Sequence, residues 1–187
     1  NWLTPADQSI LETTLGYEQV AVDLTAWMAQ NEPDEYVKET MDFGLLEDFD
    51  HLYRYSNLLQ MEQGVLAENL VGRYTEIMPG RPTISHHRFS KDNVKRAIDS
   101  KNADKQTVLS TMIITAAEQQ TMNFYMNMAC MYKNDLGRKL FAEIGMVEEE
   151  HVTQYESLKD PNCTWLEQWV MHEYTECYLY YSAWQDE

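Results

Sequence analysis

The chain has 187 residues, of which 44% are hydrophobic and 12% aromatic, with 11 Met, 7 Gly and 5 Pro. That is enough apolar material for a packed domain, excludes a disordered chain, and leaves too few turn formers for an all-β protein. A formal charge of −17, from 14 Lys and Arg against 31 Asp and Glu spread along the chain, repels nucleic acid and anionic lipid and attracts cations.

Five helical segments are expected. The first opens at Thr4-Pro5-Ala6-Asp7, with Pro at the first helical position, and runs to about Gln30. Asn31-Glu32-Pro33-Asp34 breaks it, and a second helix follows to about Gln60. The stretch from there to about Lys105 is punctuated by Gly64, Gly72, Pro79-Gly80 and Pro82, with short helices expected at 65–71 and 91–99. A third helix covers roughly 105–132 and a fourth roughly 135–158, stopped by Asp160-Pro161-Asn162. Thr164-x-x-Glu167 reads as a capping box for a fifth, running to about Ser182. Two helix hairpins joined by a connection of about 45 residues are what a four-helix bundle with one crossover requires. The expected organisation is an all-α bundle over residues 1–160, with residues 161–187 as an additional C-terminal helix packed on the bundle or on a partner chain.

No apolar run approaches the ~18 residues of a membrane span, so no membrane association is expected. The opening Asn1-Trp2-Leu3-Thr4-Pro5 lacks the basic-then-apolar pattern of a secretory leader. Three cysteines (Cys130, Cys163, Cys177) without a C-x-x-C pair fit a reducing cytoplasm and exclude a four-cysteine iron site within this chain.

The chemistry lies on the inner faces. In the fourth helix one stripe reads Phe141, Ile144, Glu148, His151, Tyr155, Leu158. In the second it reads Met41, Gly44, Asp48, His51, Tyr55, Leu58. The same 100-residue shift maps Glu18 of the first helix onto Glu118 of the third. Both halves spell a carboxylate, thirty residues, then carboxylate-x-x-His with a Tyr one turn beyond. A chance match of acid, acid and His has a probability of about 4% over about sixty shifts, before the Tyr and the apolar faces are counted. Four carboxylates on apolar stripes repel one another and cost several kcal/mol each unless protonated or paired. No Lys or Arg occupies these stripes. Two divalent metals supply the missing positive charge, and mixed oxygen and nitrogen ligation suits iron or manganese better than structural zinc.

This doubled motif resembles the ferritin-like di-iron carboxylate proteins, in which two helices give one Glu each and two give Glu-x-x-His. Within that superfamily the chain looks most like the rubrerythrin and erythrin-like group. The resemblance covers about residues 5–158. It implies a ferritin-like four-helix bundle with a long crossover between helices two and three, binding two Fe ions, with Mn as the alternative. The implied ligands are Glu18, Asp48, His51, Glu118, Glu148 and His151, with Asp48 and Glu148 as bridges. Asp48 stands where the family has Glu, and Thr115 stands where rubrerythrins carry a further Glu. The implied function is Fe(II) oxidation or the reduction of O2 or peroxide, that is, an oxidoreductase. The alternatives are an iron-binding or storage subunit and, without metal, an acidic helical interaction protein. A homodimer or small homo-oligomer is expected.

Glu47 also lies within a turn of His51, but its face reads Thr40, Phe43, Asp50, Arg54, Asn57. That mostly polar face puts Asp48 ahead and predicts a solvated Glu47. Glu149 and Glu150 fall off the stripe and are expected to be solvated as well. Tyr17, Tyr55 and Tyr155 read as core with bonded hydroxyls, Met112, Met122, Met126, Met128 and Met131 as core filler, and Cys130 and Cys177 as buried thiols. His86-His87 reads as loop. His172, Glu173 and Glu176 mix with apolar residues in the fifth helix, where packing is the expected role.

Overall fold

The computed structural model describes residues 7–77 and 93–186. These residues form six helices and no strand: α1 (Ile10–Asn31), α2 (Glu35–Gln63), α3 (Glu68–Val71), α4 (Lys105–Met131), α5 (Asp135–Leu158) and α6 (Trp165–Asp186).

Local chemistry sets the boundaries. The first helix starts later than expected, because Ser9 and Glu12 form a reciprocal capping box: Glu12 N–H donates to Ser9 Oγ at 3.3 Å and Ser9 N–H to Glu12 Oε2 at 2.6 Å. That box satisfies two orphan donors, where a Pro at the first position only avoids losing one. Thr4 to Ala6 lie outside the described residues. Asp34 caps α2 by accepting from the Tyr36 and Val37 amides. The α2 helix runs on to Gln63, where Gly64, at φ 69°, closes it by donating its N–H to the Gln60 carbonyl at 2.9 Å. Residues 93–99 are not helical; they are tied instead to the end of α5, with the Ile98 amide on the Leu158 carbonyl at 2.8 Å and the Lys95 amide on Ser157 Oγ at 2.7 Å. The Thr164 and Glu167 capping box forms as expected, and α6 continues past Ser182 to Asp186, since neither Gly nor Pro stops it.

Helix α1 packs along α2, and α4 along α5; contacts of α2 with α5 and of α1 with α4 close the four into a bundle, while α6 touches α4. The core divides into two clusters. One joins Leu11, Leu15, Leu52, Leu59, Tyr125 and Phe141; the other joins Met28, Val37, Met41, Ile114, Tyr155 and Leu158. Each takes opposite halves of the four long helices, so the polar residues at the middle of each helix form a layer between them. The methionines of α4 are the filler expected only in part, with Met128 packed half-buried against the core. Met126 and Met131 are exposed and the other three half-buried, whereas Met28 and Met41 fill the core. Cys130 and Cys177 are exposed.

Gly44 marks the tightest approach of α2 to α5: a Cβ there would overlap the Tyr155 hydroxyl, which is fully buried and has no hydrogen-bond partner. A helix-interior Gly→Ala change ordinarily gains up to about 1 kcal/mol, and overpacking costs about 1–3 kcal/mol. Gly44→Ala is therefore expected to destabilise by about 1 kcal/mol, and to become neutral or stabilising in a Tyr155→Phe background. Urea denaturation of the two variants and their double mutant measures both signs.

Candidate metal centre

The polar layer holds all six residues that the sequence repeat singles out. Glu18 comes from α1, Asp48 and His51 from α2, Glu118 from α4, and Glu148 and His151 from α5; each is at most 3% exposed. They fall into two triads, Glu18–His51–Glu148 and Asp48–Glu118–His151, in each of which the nearest donor atoms lie within 4.8 Å of one another. Glu148 spans the two: its Oε1 is 3.0 Å from His51 Nδ1 and its Oε2 3.3 Å from His151 Nδ1. His151 Nδ1 is also 3.5 Å from Glu118 and 3.9 Å from Asp48 Oδ1, and His51 Nδ1 is 3.9 Å from Glu18 Oε2. The imidazole centroids are 5.8 Å apart.

Donor directions carry more information than distances. Glu18 Oε2, Asp48 Oδ1, His51 Nδ1, Glu148 Oε2 and His151 Nδ1 are buried and complete no hydrogen bond, although such atoms are almost always satisfied in native proteins. The remaining atoms of several of these groups are held. Tyr125 donates to Glu18 Oε1 at 2.5 Å and Thr25 to Asp48 Oδ2 at 2.9 Å. His151 Nε2 is 2.7 Å from Glu47 Oε2. The outer atoms are thus fixed by protein partners, and the inner ones converge on the layer's centre.

Burial, then the Glu148 charge, pushes the Glu18 and Glu118 carboxyls well above the usual carboxylate range. Burial raises Asp48 to about 6. Burial also opposes charge on the imidazoles, but Glu148 beside His51 and Glu118 beside His151 override it and raise both. Glu148 alone moves down, because the two imidazoles outweigh its burial. No Lys or Arg among the described residues pairs with any of the six. Protons or metal ions must therefore supply the cationic charge.

Three expectations fail here. Glu47 is buried, not solvated, and bonded to His151. Its polar face is turned toward α5, where Arg54 pairs with Glu143 at 2.8 Å and with Asp50 at 3.6 Å, so the polarity marks a helix–helix ion pair rather than water. Glu150 is likewise buried, while Glu149 is exposed as expected. Tyr55 and Tyr155 are core residues, but their hydroxyls have no hydrogen-bond partner; that of Tyr17 accepts from Gln120 at 3.4 Å. Thr25 escaped the sequence reading, and Glu47 entered it only as a rival to Asp48 beside His51, whereas its partner is His151 of the facing helix. His86 and His87 lie outside the described residues. His172 pairs with Glu176 at 3.3 Å on the surface of α6, away from the layer.

No family model matches the sequence, and no curated protein or solved structure is significantly similar to it. Fold and site together define an all-helical protein with a buried carboxylate–imidazole layer whose donor groups can hold metal ions.

The raised groups set a pH dependence for the metal-free protein. A group whose pKa is higher folded than unfolded contributes stability at low pH and loses it as pH rises through the folded value. Asp48, Glu18, Glu118, His51 and His151 all shift that way, and the opposing shift of Glu148 acts only below its ordinary range. In a chelator, the melting temperature is expected to fall from pH 5 to pH 8. Glu18→Gln/Glu118→Gln should flatten the slope; an unchanged slope would locate the pH dependence elsewhere.

Proposed function

We propose that the layer is a dinuclear metal site, with iron as its metal and manganese as the alternative, and that the protein is a redox-active member of the ferritin-like di-iron class. The observation that carries this reading is the convergence of five unpartnered, buried donor atoms from α1, α2 and α5 on two adjoining triads. With up to four carboxylates and two imidazoles in one dry layer, two divalent cations are a better charge match than two imidazolium protons.

On this reading Glu18 and His51 would hold one ion and Asp48, Glu118 and His151 the other, with Glu148, which reaches both imidazoles, available to both. Asp48 would present Oδ1 to the metal, while Oδ2 accepts from Thr25, which fixes the orientation of the carboxylate. Both imidazoles ligate through Nδ1. Glu47 fixes His151 by accepting from Nε2, which sets the tautomer and makes the ring a better donor. Tyr125 keeps one Glu18 oxygen turned away so that the other faces inward. The apolar clusters on either side restrict water. Two ferrous ions held there supply two electrons to O2 or peroxide, the chemistry of a ferroxidase or a peroxide-reducing enzyme. Three unpaired cysteines suit a reducing compartment, and the cytoplasm is the location this reading assigns.

Aerobic titration of metal-free protein with Fe(II) tests the proposal. Two ions per chain and a near-ultraviolet ferric band are expected, and a stoichiometry of zero would remove the reading altogether. His151→Ala should abolish one of the two sites while the helices remain. Glu47→Ala should weaken binding at that site about 10–100-fold, the usual effect of removing a carboxylate behind a metal-bound histidine. Calorimetric titration with Mn(II), which needs no turnover, gives the same comparison.

A further inference from the structure

Helix α6 sits on the bundle by its less apolar side. Thr175 is its one buried residue, its hydroxyl 3.6 Å from Met112 Sδ of α4, and Met171, Tyr178 and Ser182 flank it half-buried. At 100° per residue, the arc opposite Thr175 carries Leu166, Trp169, Val170, Cys177, Tyr180, Tyr181 and Trp184, with Glu173 among them. This arc is open to solvent: Leu166 is 76%, Tyr180 71% and Trp184 65% exposed. An ordinary surface helix turns its apolar stripe inward; α6 turns it out.

The size of the face is informative. Four large aromatics with Leu166 and Val170 present on the order of 800 Å², where a monomer rarely exposes a contiguous apolar patch above a few hundred. A stable dimer needs about 800 Å² per partner. Charge argues against a lipid surface, since residues 160–186 contain no Lys or Arg and five acidic residues, and interfacial helices rely on basic flanks.

The register favours one occupant. Leu166 and Trp184 are equidistant from Thr175, as are Trp169 and Tyr181, Val170 and Tyr180, and Glu173 and Cys177. A two-fold axis lying along the outer face of α6 at the level of Thr175 therefore brings Leu166 of one copy level with Trp184 of the other, Trp169 with Tyr181 and Val170 with Tyr180, at least one aromatic in every pair. Self-complementarity of this kind is what an isologous interface requires. It also sets Glu173 against a thiol, whereas parallel pairing would set two Glu173 carboxylates face to face in the seam. We propose that the outer face of α6 is a homodimer interface, in which the helices of two copies pair antiparallel about Thr175. The proposal is independent of the metal reading.

Sedimentation equilibrium of the full chain at about 50 µM, in chelator, should give twice 22.0 kDa. Val170→Glu/Tyr180→Glu changes two exposed positions, so its helical circular dichroism should be retained while the dimer weakens at least tenfold. Orientation is read by oxidation in a Cys130→Ser/Cys163→Ser background. Across the antiparallel pair the two Cys177 residues are offset by about 6 Å along the axis as well as by the 8–10 Å between helices, beyond disulfide reach. That background should therefore stay uncrosslinked, and adding Glu173→Cys should give a reducible dimer. A monomeric wild type, a Val170→Glu/Tyr180→Glu variant that still dimerises as tightly, or crosslinking through Cys177 alone would each overturn the proposal.

Discussion

Everything in the bundle answers to one electrostatic constraint: four carboxylates and two imidazoles share a layer that water does not reach. Leaving such charges uncompensated costs several kcal/mol each, so the surrounding chain is arranged to share it. The hydroxyls of Thr25 and Tyr125 and the carboxylate of Glu47 are spent on the outer atoms of the layer. The apolar core is split in two by it. The long helices carry the groups at mid-length, where neither end can fray and admit solvent. The aromatic cluster of Tyr55, Tyr125 and Phe141, with centroids 4.9–5.9 Å apart, walls the layer on one side, and Tyr155 packs 6.3 Å from His151 on the other.

The five long helices, the two hairpins and all six members of the layer were legible in the sequence, because each depends on local period or on a repeat with a fixed shift. A carboxylate placed one turn before a histidine on an apolar stripe faces the same way whatever the neighbouring helices do. The features that were not legible depend on what lies across from a residue. Glu47 and Arg54 read as a solvated face until α5 is seen to cover it, at which point their polarity becomes pairing with His151 and Glu143. The α4 methionines read as core because they are apolar and periodic, yet Met131, the last residue of the helix, is 71% exposed. The first helix was misplaced for a different reason: Ser9-x-x-Glu12 and Thr4-Pro5 are both start signals, and only the capping box offers two mutual hydrogen bonds.

The 100-residue repeat extends past the six donors, and where it ends matters. Thr25 and Tyr125 are related by the same shift, each seven residues beyond the one carboxylate its helix gives to the layer, and each donates a hydroxyl to a carboxylate of the layer. Support and donors therefore repeat together. Glu47 breaks the pattern, because its counterpart is Val147, a core residue that cannot accept a proton. Of the two imidazoles, His151 has a carboxylate behind it, and the equivalent position for His51 is aliphatic. Asp48 is shorter than Glu148 by one methylene and has one oxygen committed to Thr25, whereas Glu148 reaches both imidazoles. The layer is two-fold in the order of its residues but not in its charge. Around His151 stand Asp48, Glu118, Glu148 and Glu47; around His51 stand Glu18 and Glu148. A repeated sequence thus carries an asymmetric set of donors, with four carboxyl groups around His151 against two around His51, and the His151 side is the one with more carboxyl groups for a cation to compensate.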